Sequence, residues 1–229
     1  MSLFLYETHL HTSEASACAN VSGREQARIY KKAGYAGIIV TDHFFNGNTA
    51  VPHNLPWEKR VDLFCKGYEN AKKEGEKIGL SVFFGFEFNY RTTEFLVYGL
   101  DSEWIKSHPD MTSWSVEELY YNVHKDGGYM VHAHPFRDRF YVEKIRLFPE
   151  HVDAIEGYNV GNASQSCDNR AVEYAKSINV PILAGTDAHW HEPKRNAVAF
   201  ERPLESIHDF IDCVKAGKYS LVLDMKLER

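Results

Sequence analysis

The chain has 229 residues, 44% hydrophobic, 14% aromatic and 25% charged, a globular composition too rich in core-forming residues for a disordered segment. Twenty-six basic against thirty-two acidic side chains give a formal charge of −6, so its overall field repels a phosphate backbone and excludes a basic, duplex-coating protein. No apolar run approaches the roughly 20 residues of a membrane span, and residues 1–7 lack the basic region of a signal peptide, so cytoplasmic residence is expected.

Runs rich in β-branched and aromatic residues alternate with helical patterns along the chain. A strand at 4–10 precedes a helix at 24–33, then come a strand at 37–41, a helix at 57–78, and strands at 81–88 and 95–100. A helix at 116–125, strands at 129–133 and 154–158, a helix at 170–178, a strand at 181–185 and a helix at 204–215 complete the series. Ser22, Ser113 or Ser115, and Asp168 or Asn169 are expected to cap helix starts, while Gly34, Gly79, Gly127 and Gly217 sit where helices end. No Pro/Gly/Ser-rich linker, internal repeat or low-complexity segment divides the chain, so one α/β domain over 1–229 is expected. The apolar runs are continuous rather than alternating, which suits a helix-covered sheet with parallel crossovers. A closed or nearly closed barrel is favoured, with an open doubly wound sheet as the alternative. Residues 46–57, with Pro52 and Pro56, have no regular pattern and are expected to loop over the site.

Cys18, Cys65, Cys167 and Cys213 stand far apart without a Cys-x-x-Cys pair and read as ordinary reduced thiols. Histidine is the unusual residue, seven of the twelve falling at His9/His11, His43, His132/His134 and His189/His191. Metal-competent residues stand where strands end: Glu7, His9 and His11; Asp42 and His43; Glu87; His132 and His134; Asp187 and His189. In a parallel β/α barrel those ends converge on one face. Because i and i+2 share a face of a strand, His9/His11 and Asp187/His189 each present a pair of ligands, and His132 is expected to face the same way as His134 but deeper. A single buried histidine is ordinarily a hydrogen-bonded core residue, but several imidazoles and carboxylates buried together call for a compensating cation. Nitrogen and carboxylate donors without thiolate fit zinc, manganese or iron, and more than six candidate ligands suit two or three ions better than one. Such a centre generates hydroxide at neutral pH and clamps an anion, as hydrolysis of a phosphate ester requires.

The segments His9-Leu10-His11-Thr12, Thr41-Asp42-His43, Gly85-Phe86-Glu87, Ala133-His134-Pro135 and Gly185-Thr186-Asp187-Ala188-His189 resemble, in order and spacing, the motifs of the polymerase and histidinol phosphatase (PHP) superfamily. The segment from Ala154 to Asn159, followed by Asn169, is also similar. The resemblance implies a distorted seven-stranded β/α barrel, TIM-like, with a two- or three-ion site serving a phosphoesterase. It implies that His9, His11, Glu87 and Asp187 surround one ion, that Glu87 bridges to a second held by His134, and that His43 and His189 hold a third. Where the family has another histidine on the strand after the glutamate, this chain has Glu94, which can still ligate. Where it has aspartate or histidine five residues beyond His-x-His, this chain has Ser16, with Glu14 the nearest strong donor. His132 is expected to orient a ligand or fill the core. Arg137 is placed for bidentate contact with a phosphate, and His191 for contact with substrate or for protonating the leaving group.

The expected activity is metal-dependent hydrolysis of a small phosphomonoester, histidinol phosphate being one possibility the family offers. Two alternatives stand beside it. One is a nuclease or nucleotide phosphodiesterase acting on short single strands; the acidic balance and the lack of a basic, aromatic-interleaved stripe count against it and against duplex binding. The other is a non-catalytic metal-binding domain.

Overall fold

The computed structural model describes residues 3–191 and 196–223. The apolar runs form strands packed between side chains on both faces, giving in chain order β1 (Phe4–Leu10), α1 (Gly23–Lys32), β2 (Gly37–Val40), α2 (Trp57–Phe64), α3 (Lys66–Ile78), β3 (Ser81–Tyr90), β4 (Thr93–Tyr98), α4 (Ser102–Lys106), α5 (Val116–Lys125), β5 (Tyr129–Ala133), β6 (Ala154–Asn159), α6 (Gln165–Ile178), β7 (Ile182–Gly185), β8 (Asn196–Phe200), α7 (Ile207–Lys215) and β9 (Ser220–Leu223). The strands make one sheet in the order β7-β6-β5-β4-β3-β2-β1-β8-β9. It curls until the last parallel strand approaches the first: Leu10 bridges Ala188, and Thr8 Oγ1 donates to the Ala184 carbonyl at 3.0 Å. The result is a nearly closed, TIM-like α/β barrel.

The sheet departs from the expected seven parallel strands in two places. Arg91 and Thr92, with φ of 52° and 68°, form a two-residue hairpin turn that sends β4 back against β3, and β4 is also antiparallel to β5. At the other edge β8 pairs antiparallel with β1, and β9 with β8, two strands the apolar-run reading passes over. The reversal of β4 positions the site, because it brings the start of that strand, with Glu94, to the face where the parallel strands end.

Two helix boundaries also differ. The helix expected over 57–78 pauses at Cys65, and α6 starts after Ser164, which leaves Asp168 and Asn169 inside it rather than capping it. Ser22 caps α1 by accepting from the Glu25 amide, and Ser115 forms a reciprocal capping box with Glu118. Inside the barrel Tyr6, Ile39, Leu96, Tyr98, Val131 and Leu183 pack together, while Phe44, Phe64, Phe86 and Phe95 fill the layer beneath the helices. Each such side chain contributes about 1.5–3 kcal/mol by leaving water, enough to hold the polar end of the barrel in place. No helix among the described residues is long and apolar enough to cross a membrane.

Candidate metal centre

β1 reaches the site through a bulge. Between Glu7 and Leu10 it advances one residue more than β2, so its alternation switches sides. Tyr6 points into the barrel and Leu10 outward, which turns His9 and His11 inward at the mouth. Glu7 is thereby taken out of the ligand set. Its carboxylate accepts from the His9 amide and from the amide and hydroxyl of Thr186, tying β1 to the end of β7, and burial pushes its pKa up to about 7.

Four overlapping groups of donors meet there, the ligand atoms of each lying within 4.8 Å of one another: His9/His11/Asp187, His9/Glu87/His134, His43/Glu87/Glu94 and His11/His43/His189. Eight of the nine residues expected from the sequence as ligands are therefore together. The ninth, Glu14, is not: its carboxylate accepts from the Gly23 amide at 3.0 Å and from Asn70 Nδ2 at 2.9 Å, fastening the start of α1 to α3. A carboxylate is drawn to a helix N-terminus by its unpaired amides, and that attraction has claimed Glu14.

Ring orientations are fixed from behind. Glu156, on β6, accepts from His9 Nδ1 at 3.0 Å and also from the His134 amide and Asn159 Nδ2. Ser16 donates to Asp42 at 2.7 Å, and its oxygen faces His11 Nδ1 at 3.1 Å and accepts from the His43 amide. His189 Nδ1 donates to the Asp187 carbonyl at 2.8 Å. With each Nδ1 so engaged, His9 Nε2 and His11 Nε2 face each other at 3.1 Å, and both also face the Glu87 and Asp187 carboxylates at 3.1 to 3.6 Å. His43 Nδ1 pairs with Glu87 Oε2 at 2.6 Å. Imidazole nitrogens and carboxylate oxygens gathered this closely away from water need positive charge between them, from protonated rings or from metal, so this donor set fits divalent ions.

The charges agree. Burial opposes charge on His9, but the carboxylates of Glu156, Asp187 and Glu87 raise its pKa well above 6.5. Burial would raise Glu87 and Asp187 too, yet His9 and His43 hold the first, and Arg137 and His9 the second, well below the usual carboxylate range. Burial, aided by His189 and His43, keeps His11 neutral, and burial beside Glu87 raises Glu94. His134 and Asp187 have φ of +28° and +53°, a left-handed backbone that costs about 1–3 kcal/mol in non-glycine residues and aims both side chains into the mouth.

His132 departs from expectation. His134 lies beyond the end of β5 with its reversed φ, so the two-residue rule does not link them. His132 faces the outer layer, stacked on Phe95 with ring centres 4.9 Å apart, and burial lowers its pKa to about 3. It fills the core and orients no ligand. Arg137 is at the mouth but is already held: Nη2 donates to Asn159 Oδ1 at 2.8 Å and to Asp187 Oδ2 at 2.5 Å, and Nε to Asn162. His191 is exposed and outside the lining of the adjoining cavity. That cavity, of about 650 Å³, is lined by Asn46–Asn48 of the expected covering loop, by Glu94, Arg137, Asp187 and His189, and by Cys18, Arg139, Tyr141 and Trp190. Clefts of about 640 and 810 Å³ elsewhere carry no comparable donor group among the described residues.

The sequence assigned no role of its own to Glu156, Asp42 or Cys18, although Asp42 stood among the strand-end residues and Glu156 within the segment from Ala154 to Asn159. Glu156 was findable as a lone carboxylate within an apolar strand, which must be satisfied once buried. Asp42, accepting from Thr12 and Ser16, keeps the ligand loop closed.

The fold and site define an α/β barrel whose mouth gathers nitrogen and oxygen donors able to hold divalent metal. Solved structures with this fold include PHP-like metal-dependent phosphoesterases. A two-domain protein from Bacteroides vulgatus, "containing predicted PHP-like metal-dependent phosphoesterase", matches with a TM-score of 0.71 and 14% identity over 97% of this chain and 65% of its own, so this chain spans about two thirds of its length. PsfC from Pseudomonas syringae matches at 0.67 and 17% identity over 99% of this chain and 93% of its own. A Bifidobacterium adolescentis protein, provisionally described as a metal-dependent phosphoesterase, matches at 0.59 and 15% identity over 90% and 94%. No family model and no curated protein matches the sequence.

Proposed function

We propose that the chain is a metal-dependent phosphoesterase, histidinol-phosphatase-like, that hydrolyses a small phosphomonoester and works in the cytosol as one unit over 1–229. The meeting of eight histidine, glutamate and aspartate donors in four overlapping groups at one buried mouth carries this reading, because divalent cations balance such a set. His9, His11 and Asp187 would hold one ion, Glu87 with His134 and Glu94 a second, and His43 with His189 a third, drawn from zinc, manganese and iron. When bound, the ions supply Lewis acidity and an activated water.

The chain's own residues do the rest. Glu156 and Ser16 hold His9 and His11 in the ligating tautomer. Arg137 anchors Asp187, and its Nη1, which makes no hydrogen bond among the described residues, is the part left to meet a phosphate oxygen; single contact replaces the bidentate grip expected from sequence. Exposed Arg139, tied to the Gly161 carbonyl, adds positive charge at the rim. The cavity of about 650 Å³ is the size of a small-molecule site. His191, exposed and outside the cavity lining, would meet a substrate or its leaving group only from the rim.

A second reading, cleavage of short single-stranded nucleotides, draws on Tyr141 and Trp190, 44% and 64% exposed at the rim, since bare aromatic rings there can stack on bases. Metal-reconstituted protein offered a panel of phosphomonoesters and short oligonucleotides tests both. Phosphate release from a monoester, lost in Asp187→Ala and His9→Ala variants that still fold, is expected; a metal-loaded protein cleaving no ester contradicts the proposal.

A further inference from the structure

Asp168 is a buried carboxylate that neither caps a helix nor belongs to the donor groups at the barrel mouth. It lies in the first turn of α6, where Ser164 takes the cap position, and it turns back to the loop between β6 and α6. There its Oδ1 accepts from Asn162 Nδ2 at 2.7 Å and from the Asn159 amide at 3.3 Å. Two donors on one oxygen offset the cost of burying it.

The consequence lies one residue further on. A side-chain amide has one accepting end and one donating end. With its NH2 on Asp168, Asn162 presents Oδ1 to the opposite side, where Arg137 Nε donates to it at 3.4 Å. Asn159 is set the same way: its Nδ2 donates to Glu156 at 2.8 Å, and its Oδ1 accepts from Arg137 Nη2 at 2.8 Å. Two carboxylates thus orient two asparagines, and both offer oxygen to one guanidinium. Gly161 lets the loop come this close, since a Cβ there would lie 2.9 Å from both Arg137 Nη2 and Asn159 Oδ1. A guanidinium is a rigid planar fork, so holding Nε and Nη2 also fixes where Nη1 points.

We infer that Asp168 and Asn162 are positioning residues for phosphate: Asp168 fixes the amide of Asn162, and Asn162 fixes the plane of Arg137 so that Nη1 meets a phosphate oxygen. The inference rests on the phosphate contact read above for Arg137. Neither residue is among the metal donors, so the β6–α6 loop serves the anion rather than the ions.

Inorganic phosphate binding to zinc-loaded protein tests it. Asn162→Ala is expected to weaken phosphate about tenfold, the low end for a hydrogen bond to a charged group because the Nε contact is long. Zinc affinity is expected to stay unchanged, and on a phosphomonoester the loss is expected in KM with kcat little altered. Asp168→Ala is expected to show the same loss, and the double variant no more than either single one, since one residue acts through the other. A merely structural role would lower stability and leave phosphate affinity as it was. An independent measurement needs no variant: in nitrogen NMR of labelled arginine, Arg137 Nε–H is expected to exchange with water about tenfold more slowly than that of exposed Arg139. Unchanged phosphate affinity in Asn162→Ala, losses that add in the double variant, a parallel fall in zinc affinity, or equal exchange at the two arginines overturns the inference alone. A wild type that takes up no zinc, or takes it up and neither binds phosphate nor hydrolyses an ester, overturns it together with the phosphoesterase reading.

Discussion

Glu156→Gln changes one buried oxygen to nitrogen and isolates what holds His9. All three partners of the carboxylate are donors: His9 Nδ1 at 3.0 Å, the His134 amide at 3.0 Å and Asn159 Nδ2 at 2.8 Å. A glutamine amide has one acceptor end, so its NH2 must face a donor in either orientation. The less costly choice keeps oxygen on His134 and Asn159 and turns NH2 towards His9, which then carries its proton on Nε2, the atom that faces the donor cluster. Leaving a buried donor unmatched, or forcing the wrong tautomer, costs about 1–3 kcal/mol, equivalent to roughly a 5- to 150-fold loss. Removing partners behind metal-bound histidines lowers affinity by about 10–100-fold. The two figures agree, so competition of zinc between protein and a chelator is expected to show one ion bound about 10–100-fold more weakly. Nitrogen NMR of labelled histidine is expected to show the His9 tautomer reversed. Wild-type zinc affinity with an unchanged His9 tautomer refutes the reasoning.

Gly185→Ala is expected to weaken zinc binding without touching a ligand, because the new Cβ collides with Glu156 Oε1 and lies 2.7 Å from His9 Cβ; isothermal calorimetry of zinc binding checks it. Glu14→Ala is expected to leave zinc affinity unchanged and to lower stability by about 1 kcal/mol in urea unfolding, since it removes acceptors at the start of α1. The His124–Asp153 pair, 2.8 Å apart, gives a pH signature away from the metals: the hydrogen bond to Asp153 raises His124 above 6.5, so its stabilisation is complete below that value and is lost as pH rises through the raised one. The stability gap between wild type and His124→Gln is therefore expected to narrow as pH rises from 6.5 through the raised pKa in urea titrations.

The expected ligands were legible because their types and order along the chain fit one chemistry, and eight of them do meet. The fold was legible where apolar runs were continuous, as in β1, β2, β5 and β7. Strand direction was not. The pattern of residues 93–98 is the same for a strand running either way, and the reversal of β4 depends on a hairpin at Arg91–Thr92, which lacks the usual Asn-Gly or Gly. β8 and β9 are short runs, and β8 pairs with β1 from the opposite end of the chain. Glu14 and Ser16 were ambiguous because a carboxylate suits a helix start as well as a cation, and only the path of the loop decides. His132 went astray for a local reason, a left-handed residue at His134 that no periodicity announces.

Crystals of the zinc- or manganese-loaded protein, with anomalous diffraction recorded at the metal absorption edge, test the central claim most directly. Two or three peaks among His9, His11, His43, Glu87, His134, Asp187 and His189, with Glu87 touching more than one, are the expected result. An anomalous map empty at this mouth, or metal bound only elsewhere on the protein, contradicts the account.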